Sequence, residues 1–500
     1  MKFTKHIKIG LIAVILFGAS GCEEFLEEDP KNFISPETFY SSRIDVESAL
    51  AGVYGNFTMH IWSTRLMYWI TKLNNDENEN SYPWNLNEPG FIDNASSNGD
   101  LNGVWNELYE GVKRANEFIF RVKDLGPSII DPALKERMVA EAKFLRALDY
   151  YFLASFFGDV PLVTEPYDPS TSPLVERTEE SVIWDFLRAD LIDAASVLPP
   201  KSSYSGMDVA RANREAAKMF VAKIAMIQMD WATANQYIDE VMTSGEYQLE
   251  EDVTMNWDLA TEHGKESIFE FDYEADVIPR SGNIFHNHTA PGTAMNPMTG
   301  QSIGGGKWGG VVYNQFFRDS FDPNDDRLNN LFWPEAYYTG AADGRYYTVK
   351  YWDFNVMETA RSGEGPINLV YFRYADLLLM KAEVENEIAG GPTVAAYNAI
   401  NEVRNRSNVP DLAAGLTYDE FLNEVFDERD RELFYEGHHW IELSRREFSF
   451  VEQRIESQRL ELFASINFDG AFDFQEHMMV YPIPQSQLDA NPKLTQNDGY

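Results

Sequence analysis

The run Asp427-Glu428-Arg429-Asp430-Arg431-Glu432 gathers the side chains that hydrolytic chemistry uses. Glycoside hydrolysis needs two carboxyl groups facing each other across a substrate, about 5 Å or roughly 6.5–9.5 Å apart. Here the acids alternate with arginines along a segment of helical periodicity, where spacings of three and four favour ion pairs. The run reads as structural pairing. Asp322, Asn324 and Asp326 match the opening ligands of a calcium loop, yet Arg327 stands where that loop needs glycine and Trp333 where it needs a bidentate Glu. His286 and His288 have no further His or acid at zinc-site spacing. Gly304-Gly305-Gly306 is not set between a strand and a helix, and no nucleophile elbow, P-loop or dinucleotide fingerprint occurs. The sequence predicts no catalytic residue, no metal and no cofactor.

Aromatic residues in polar surroundings offer a different chemistry. Tyr82 and Trp84 sit among Asn, Glu and Pro; Trp308 follows the glycine run; Trp333, Tyr337 and Tyr338 lie in another polar stretch. Flat C–H faces of sugar rings stack on such side chains, and sugar hydroxyls bond to Asn, Asp, Gln and Arg. Rigid rings supply contact area with little rotamer entropy to lose. Tyr82, Trp84, Trp308, Trp333 and Tyr337 form the candidate ligand-binding set, with Asn74, Asp76 and Arg280 as polar companions. Trp105, Trp184, Trp231 and Trp440 fall in helical patterns and are expected in the core.

Cys22 is the only cysteine. Before it come Lys2, Lys5 and Lys8, an apolar run over residues 9–17, and the small residues Gly18, Ala19, Ser20 and Gly21. That order makes residues 1–21 a secretory signal peptide, and its apolar part falls short of the about 20 residues a membrane span needs. A lone cysteine cannot pair within the chain even in an oxidising compartment. Its position instead matches a bacterial lipobox, with Ala19 where Leu is usual, so Cys22 is the expected lipidation (palmitate) site. Residues 22–35, opening Glu23-Glu24-Phe25-Leu26-Glu27-Glu28-Asp29-Pro30, read as an acylated acidic tether. Each buried lipid methylene contributes about 0.8 kcal/mol, so two or three acyl chains hold a protein firmly.

The whole chain carries 41 basic and 80 acidic residues, a formal net charge of −39. Loss of residues 1–21 removes three lysines and no acid, leaving 41 − 3 = 38 against 80, or −42. That charge opposes nucleic acid, whose binding depends on Lys and Arg neutralising phosphates. It opposes anionic lipid equally, so membrane attachment falls to the acyl group. With 44% hydrophobic residues the chain has material for a large core.

The elements that must position these rings are mainly helices. Met138, Ala142, Leu145, Leu148, Phe152 and Phe156 recur every three or four residues along one helical face, which Gly158 ends. Segments 104–124, 179–198, 211–229, 232–244, 372–389, 393–407 and 418–445 follow the same pattern. Short strands are expected at Ser267–Phe271 and at 478–483. Helix pairs meeting at Ala222 and Ala234, and at Ala382 and Ala396, suggest tetratricopeptide-like repeats that bury a core only through their neighbours. Two long aromatic-rich stretches without periodicity, about 60–103 and 252–370, interrupt them. Such segments inside compact proteins are usually functional. No linker divides residues 36–500, which read as one domain.

An ordered series of motifs resembles the SusD/RagB family of outer-membrane nutrient-binding lipoproteins. It runs from Cys22 through Ser48-Ala49-Leu50-Ala51-Gly52-Val53-Tyr54, Trp105-Asn106-Glu107-Leu108-Tyr109 and Ala115-Asn116. Ala140-Glu141-Ala142-Lys143-Phe144-Leu145-Arg146-Ala147 and Phe157-Gly158-Asp159-Val160-Pro161-Leu162 follow. The series continues with Asp326-Arg327, Arg373-Tyr374-Ala375-Asp376, Glu428-Arg429 and Glu436-Gly437, and closes on Gln496-Asn497-Asp498-Gly499-Tyr500. One departure is Glu442, where the family usually has Asp, together with the absence of Arg near His439; this bears on a local salt bridge. The resemblance implies an all-α-dominated fold of tetratricopeptide-like pairs with a loop-rich ligand face and few short strands. It implies a non-enzymatic protein displayed outward on the outer membrane, an oligosaccharide or peptide ligand, and a SusC-like TonB-dependent barrel on which it sits as a lid. A surface glycoside hydrolase and a protein-interaction module without a small ligand are the competing readings.

Overall fold

The computed structural model describes residues 39–58, 78–80, 95–166, 174–274, 282–283, 285–291, 295–302, 311–313, 315–338, 346–354, 365–455 and 474–500. Cys22, the signal segment and the tether lie outside them. In chain order the first elements are α1 (Arg43–Thr58), β1 (Asn78–Asn80), α2 (Gly99–Val122), α3 (Pro132–Phe157), α4 (Glu180–Val197), α5 (Arg214–Ile227) and α6 (Trp231–Met242). Then come β2 (Ser267–Phe271), α7 (Phe285–Thr289), β3 (Val311–Tyr313), α8 (Gln315–Asp319), α9 (Asp326–Asn330) and β4 (Leu369–Arg373). The chain closes with α10 (Tyr374–Ala389), α11 (Val394–Arg406), α12 (Tyr418–Leu433), α13 (His439–Ser444) and α14 (Gln485–Ala490).

Local chemistry starts and stops these helices. Asp131 caps α3 by accepting from the backbone N–H groups of Ala133 and Leu134, Pro132 takes the first helical position, and Gly158 ends it at φ 67°. Thr417 and Glu420 form a capping box on α12. The apolar stripe expected on α3 is wider than one face: Glu141, Arg146 and Asp149 are buried as well. The cause is packing on two sides, against α2 and α4. Arg146 meets Asp190 of α4 and, 2.7 Å away, Asn116 of α2. Gly111 permits the close approach of α2, because a Cβ there would overlap the buried Asp149 carboxyl.

Each long helix packs on the next from α1 to α6; α6 then packs on α10, which holds α11 and α12. The stack of helix pairs is therefore continuous across the long excursion between α6 and α10. Strand β2 pairs antiparallel with β4, with Ser267 opposite Arg373, and Phe269 and Phe372 pack into the ring cluster around Phe144 and Phe220. The fold is mostly helical, as the sequence predicts. Two expectations fail. Residues 478–483 form no strand but a 3₁₀ turn at Glu476–Met479 and an extended exit, whose Tyr481 N–H donates to the Phe156 carbonyl (2.6 Å). The helix expected over 418–445 breaks after Leu433. There the carbonyls of Glu432 and Phe434 turn to Lys350 Nζ (3.0 and 2.8 Å), and Tyr435 adopts φ 59°.

Buried charge explains that break. The Arg373 guanidinium, fully inaccessible, meets Glu266, Glu432 and Glu436 at 2.5–2.7 Å. Arg327 meets Asp325, Glu428 and Glu432, and Arg406 joins Glu266 to Glu432. A second group links Lys223 of α5 to Asp376 and Glu442, with Arg429 and Arg445 closing it. The acid–arginine run of α12 is thus structural, but its partners lie mostly on other elements, and Glu428–Arg431 is its one i,i+3 pair among the described residues. Glu442 keeps the salt bridge that the family departure placed in question. Removing one partner of a buried network strands the others, so Arg373→Met is expected to lower the unfolding free energy by about 3–5 kcal/mol in urea titrations. Arg43→Met, which breaks an exposed pair with Glu47, should change it by less than about 1 kcal/mol.

Candidate functional site

Both irregular segments meet in a short ladder. Strand β1 pairs antiparallel with β3, Asn78 opposite Tyr313 and Asn80 opposite Val311. Tyr82 and Trp84 follow β1 in the chain by two and four residues, and Trp308 precedes β3 by three. These three rings, with Asn74, Asp76 and Arg280, lie outside the described residues. Further bridges tie the excursion together: Tyr313 with Tyr346, Phe332 with Thr348, Asn283 with Gly365, and Met295 with Ser302.

Beneath the ladder is a layer of packed rings. Phe332 stacks on Phe434, just past α12, with centroids 5.3 Å apart, and Tyr313 meets Phe434 edge-on at 5.2 Å. Trp333 belongs to this layer, not to the surface. It is 2% exposed, and its ring packs on Trp352 and Phe354 at 5.3 and 5.0 Å. The polar neighbours that suggested an exposed ring point outward, while the Phe332–Thr348 bridge and the Trp333 N–H to Tyr347 carbonyl bond turn the indole inward. Trp333 is therefore withdrawn as a surface ligand contact. Tyr337 is half-exposed, with its carbonyl accepting from Met295 N–H (2.8 Å); Tyr338 is buried edge-on against Tyr347. Trp105, Trp184 and Trp440 are buried as expected, whereas Trp231, the first residue of α6, is only half-buried.

The residues read against a calcium loop serve local structure. Asp322 closes a turn by accepting from Asn324 N–H, and Asp325 caps α9 and holds Arg327. His286 is buried beside Trp352. A group the sequence reading missed is His263, Glu270 and Asp272, whose ligand atoms come within reach of one cation. Its members stand seven and nine residues apart across a turn and β2, with no motif to flag them. Burial lowers the His263 pKa, but the Asp272 hydrogen bond and the charges of Glu270 and Asp272 outweigh that and raise it above its ordinary value. Burial and the same two acids push Glu262 up to about 7.

The architecture so far is a class: a stack of tetratricopeptide-like helix pairs bearing an inserted, loop-built face. A family model described as "SusD family" matches residues 329–500, and one described as "Starch-binding associating with outer membrane" matches residues 24–226. The chain belongs to the SusD/RagB family. It is 28% identical to SusD-like protein P25 of Formosa agariphila over 97% of both chains. The crystal structure of a SusD homolog from Bacteroides thetaiotaomicron VPI-5482 superposes with a TM-score of 0.78 at 21% identity, covering 93% of this chain and 98% of that one. A laminarin-binding SusD-like protein superposes at 0.73 with 21% identity, covering 92% and 100%.

One buried histidine couples the floor of this face to pH. His438, in the turn between α12 and α13, shares its Nε2 hydrogen with the Tyr371 carbonyl of β4 (2.8 Å). Burial holds its pKa down at about 4 against an ordinary 6.5. As pH falls the unfolded chain takes up this proton first, so stability present above pH 6.5 is lost towards pH 4, by about 3 kcal/mol in all. Thermal unfolding of the unaltered chain should show a steep fall in Tm over that window. His438→Asn should lie lower at neutral pH with a shallower slope; parallel slopes would remove His438 as the cause.

Proposed function

We propose that this chain is a lipid-anchored, outward-facing outer-membrane protein that binds a neutral oligosaccharide without cleaving it and hands it to a SusC-like TonB-dependent barrel. The observation that carries the reading is the β1–β3 ladder. It joins the two irregular segments on which Tyr82, Trp84 and Trp308 reside, and the buried ring layer seats that junction on the helical stack. Rings supported by a rigid scaffold bind with little ordering cost.

The starch-binding description of the family model and the laminarin-binding description of a structural neighbour support a glycan as cargo, and the net charge of −39 disfavours a polyanionic one. Hydrolysis is disfavoured by the fate of the α12 acids. Glu428 and Glu432 are inaccessible and held by arginines. Burial alone would raise Glu428, but Arg327, Arg431 and Arg404 hold it down at about 2, so it is no proton donor near neutral pH. Anchoring rests on Cys22: among the described residues no helix is long and apolar enough to cross a membrane.

Soluble chain beginning after Cys22, run through native gels containing laminarin or amylopectin, should be retarded by at least one polysaccharide, and chromatography should recover the glycan uncut. Trp84→Ala/Trp308→Ala should weaken retardation at least tenfold in apparent affinity. Released short sugars would make the chain a hydrolase; unchanged retardation of the double variant would discard those rings.

A further inference from the structure

The helical stack carries a cavity of about 590 Å³, and none of its lining residues belongs to segments 60–103 or 252–370. Its size falls in the range of small-molecule sites. Four elements frame it: the turn between α5 and α6, the end of α10 at Glu387, the first two turns of α12, and the segment 446–455 that follows α13.

The turn is unusual. Met229 holds φ 55°, a conformation that L side chains with bulk rarely adopt, and its side chain is 54% exposed at the cavity. Such strain is kept where the surrounding structure fixes it. Here Asp230 caps α6 through Thr233 N–H and is gripped by Arg188 of α4 at 3.0 Å. The turn thereby sets Trp231 at the cavity wall, which explains why this tryptophan escapes the core. Tyr418 and Phe450 supply two further half-buried rings.

Polar groups between the rings are unspent. Trp231 Nε1 and the exposed Gln453 amide make no protein hydrogen bond among the described residues. Asn423 donates from Nδ2 to the Asp419 carbonyl, and its Oδ1 accepts from no donor among the described residues. Arg446 is already committed, bonding Glu387 at 2.7 Å and Glu383 at 3.3 Å and lying 5.7 Å over the Phe450 ring. Glu387, Asp419 and Glu447 outnumber it along the wall, which opposes an anion. The guanidinium already over Phe450 takes the place a cationic ligand would seek. A ligand that is neutral, has flat C–H faces and carries many hydroxyls fits what is left.

We propose that this cavity is a second carbohydrate site, taking a short stretch of a neutral oligosaccharide independently of the loop-borne rings. It rests on the glycan-binding reading above, and the test separates the two. Calorimetric titration of the soluble chain would use a panel of neutral oligosaccharides including laminarihexaose and maltohexaose. In the Trp84→Ala/Trp308→Ala background, binding of one oligosaccharide per chain should persist. Adding Trp231→Ala should weaken it at least tenfold. Gln453→Ala, at an exposed position that leaves the helices intact, should weaken it about three- to tenfold, as the loss of one hydrogen bond does, with Tm unchanged. Residual binding that ignores both substitutions, or a loop double variant that binds nothing, overturns the second site and leaves the proposed function standing. A panel that fails to bind the unaltered chain counts against both.

Discussion

A buried guanidinium holds this molecule's two kinds of structure together. Arg373 stands at the junction of β4 and α10, where the long excursion rejoins the helical stack. It receives Glu266 from the start of β2, Glu432 from α12 and Glu436 from the turn beyond. Lys350, from within the excursion, reaches the same Glu436 at 2.7 Å. An apolar contact tolerates sliding; a planar fork among carboxylates accepts one arrangement. The excursion has only short ladders to define its register, and the charges supply the rest. Desolvating them is costly, and the group is stable because each member is matched.

The rest of the fold divides the labour along that seam. Helices α1 to α6 and α10 to α12 form one continuous stack, whose capping residues and interlocked rings make a stiff support. The excursion is a surface built on that support, with Phe332, Phe434, Trp333 and Trp352 as its foundation. Stiffness in one part permits irregular backbone in the other, because the loops inherit their positions from the scaffold.

Most of the scaffold was legible in the sequence, since a helix that buries one face repeats its apolar residues every three or four positions. Ser267–Phe271 was equally plain as a short apolar run. What could not be read was set by partners far away in the chain. The α12 break follows from Lys350 pulling two carbonyls out of helical pairing, and nothing within 418–445 announces it. The acid–arginine run declared its pairing but not its direction, which is mostly across elements, with Glu428–Arg431 the pair along the helix. Trp333 misled because polar neighbours in sequence say little about side-chain direction when a bridge to Thr348 fixes it. Trp231 misled in the opposite sense, because a left-handed Met229 shifts the helix start and turns the indole to the edge. Of the proposed loop contacts, the β1–β3 ladder shows only that their segments adjoin.

Charges seat the excursion on the stack. Hydrogen–deuterium exchange of Lys350→Met measures this directly. It should speed exchange in residues 346–354 and 311–313 by at least tenfold while peptides from α5 and α6 keep the protection of the unaltered chain. Equal loss of protection across α5, α6 and the excursion, or none anywhere, would contradict it.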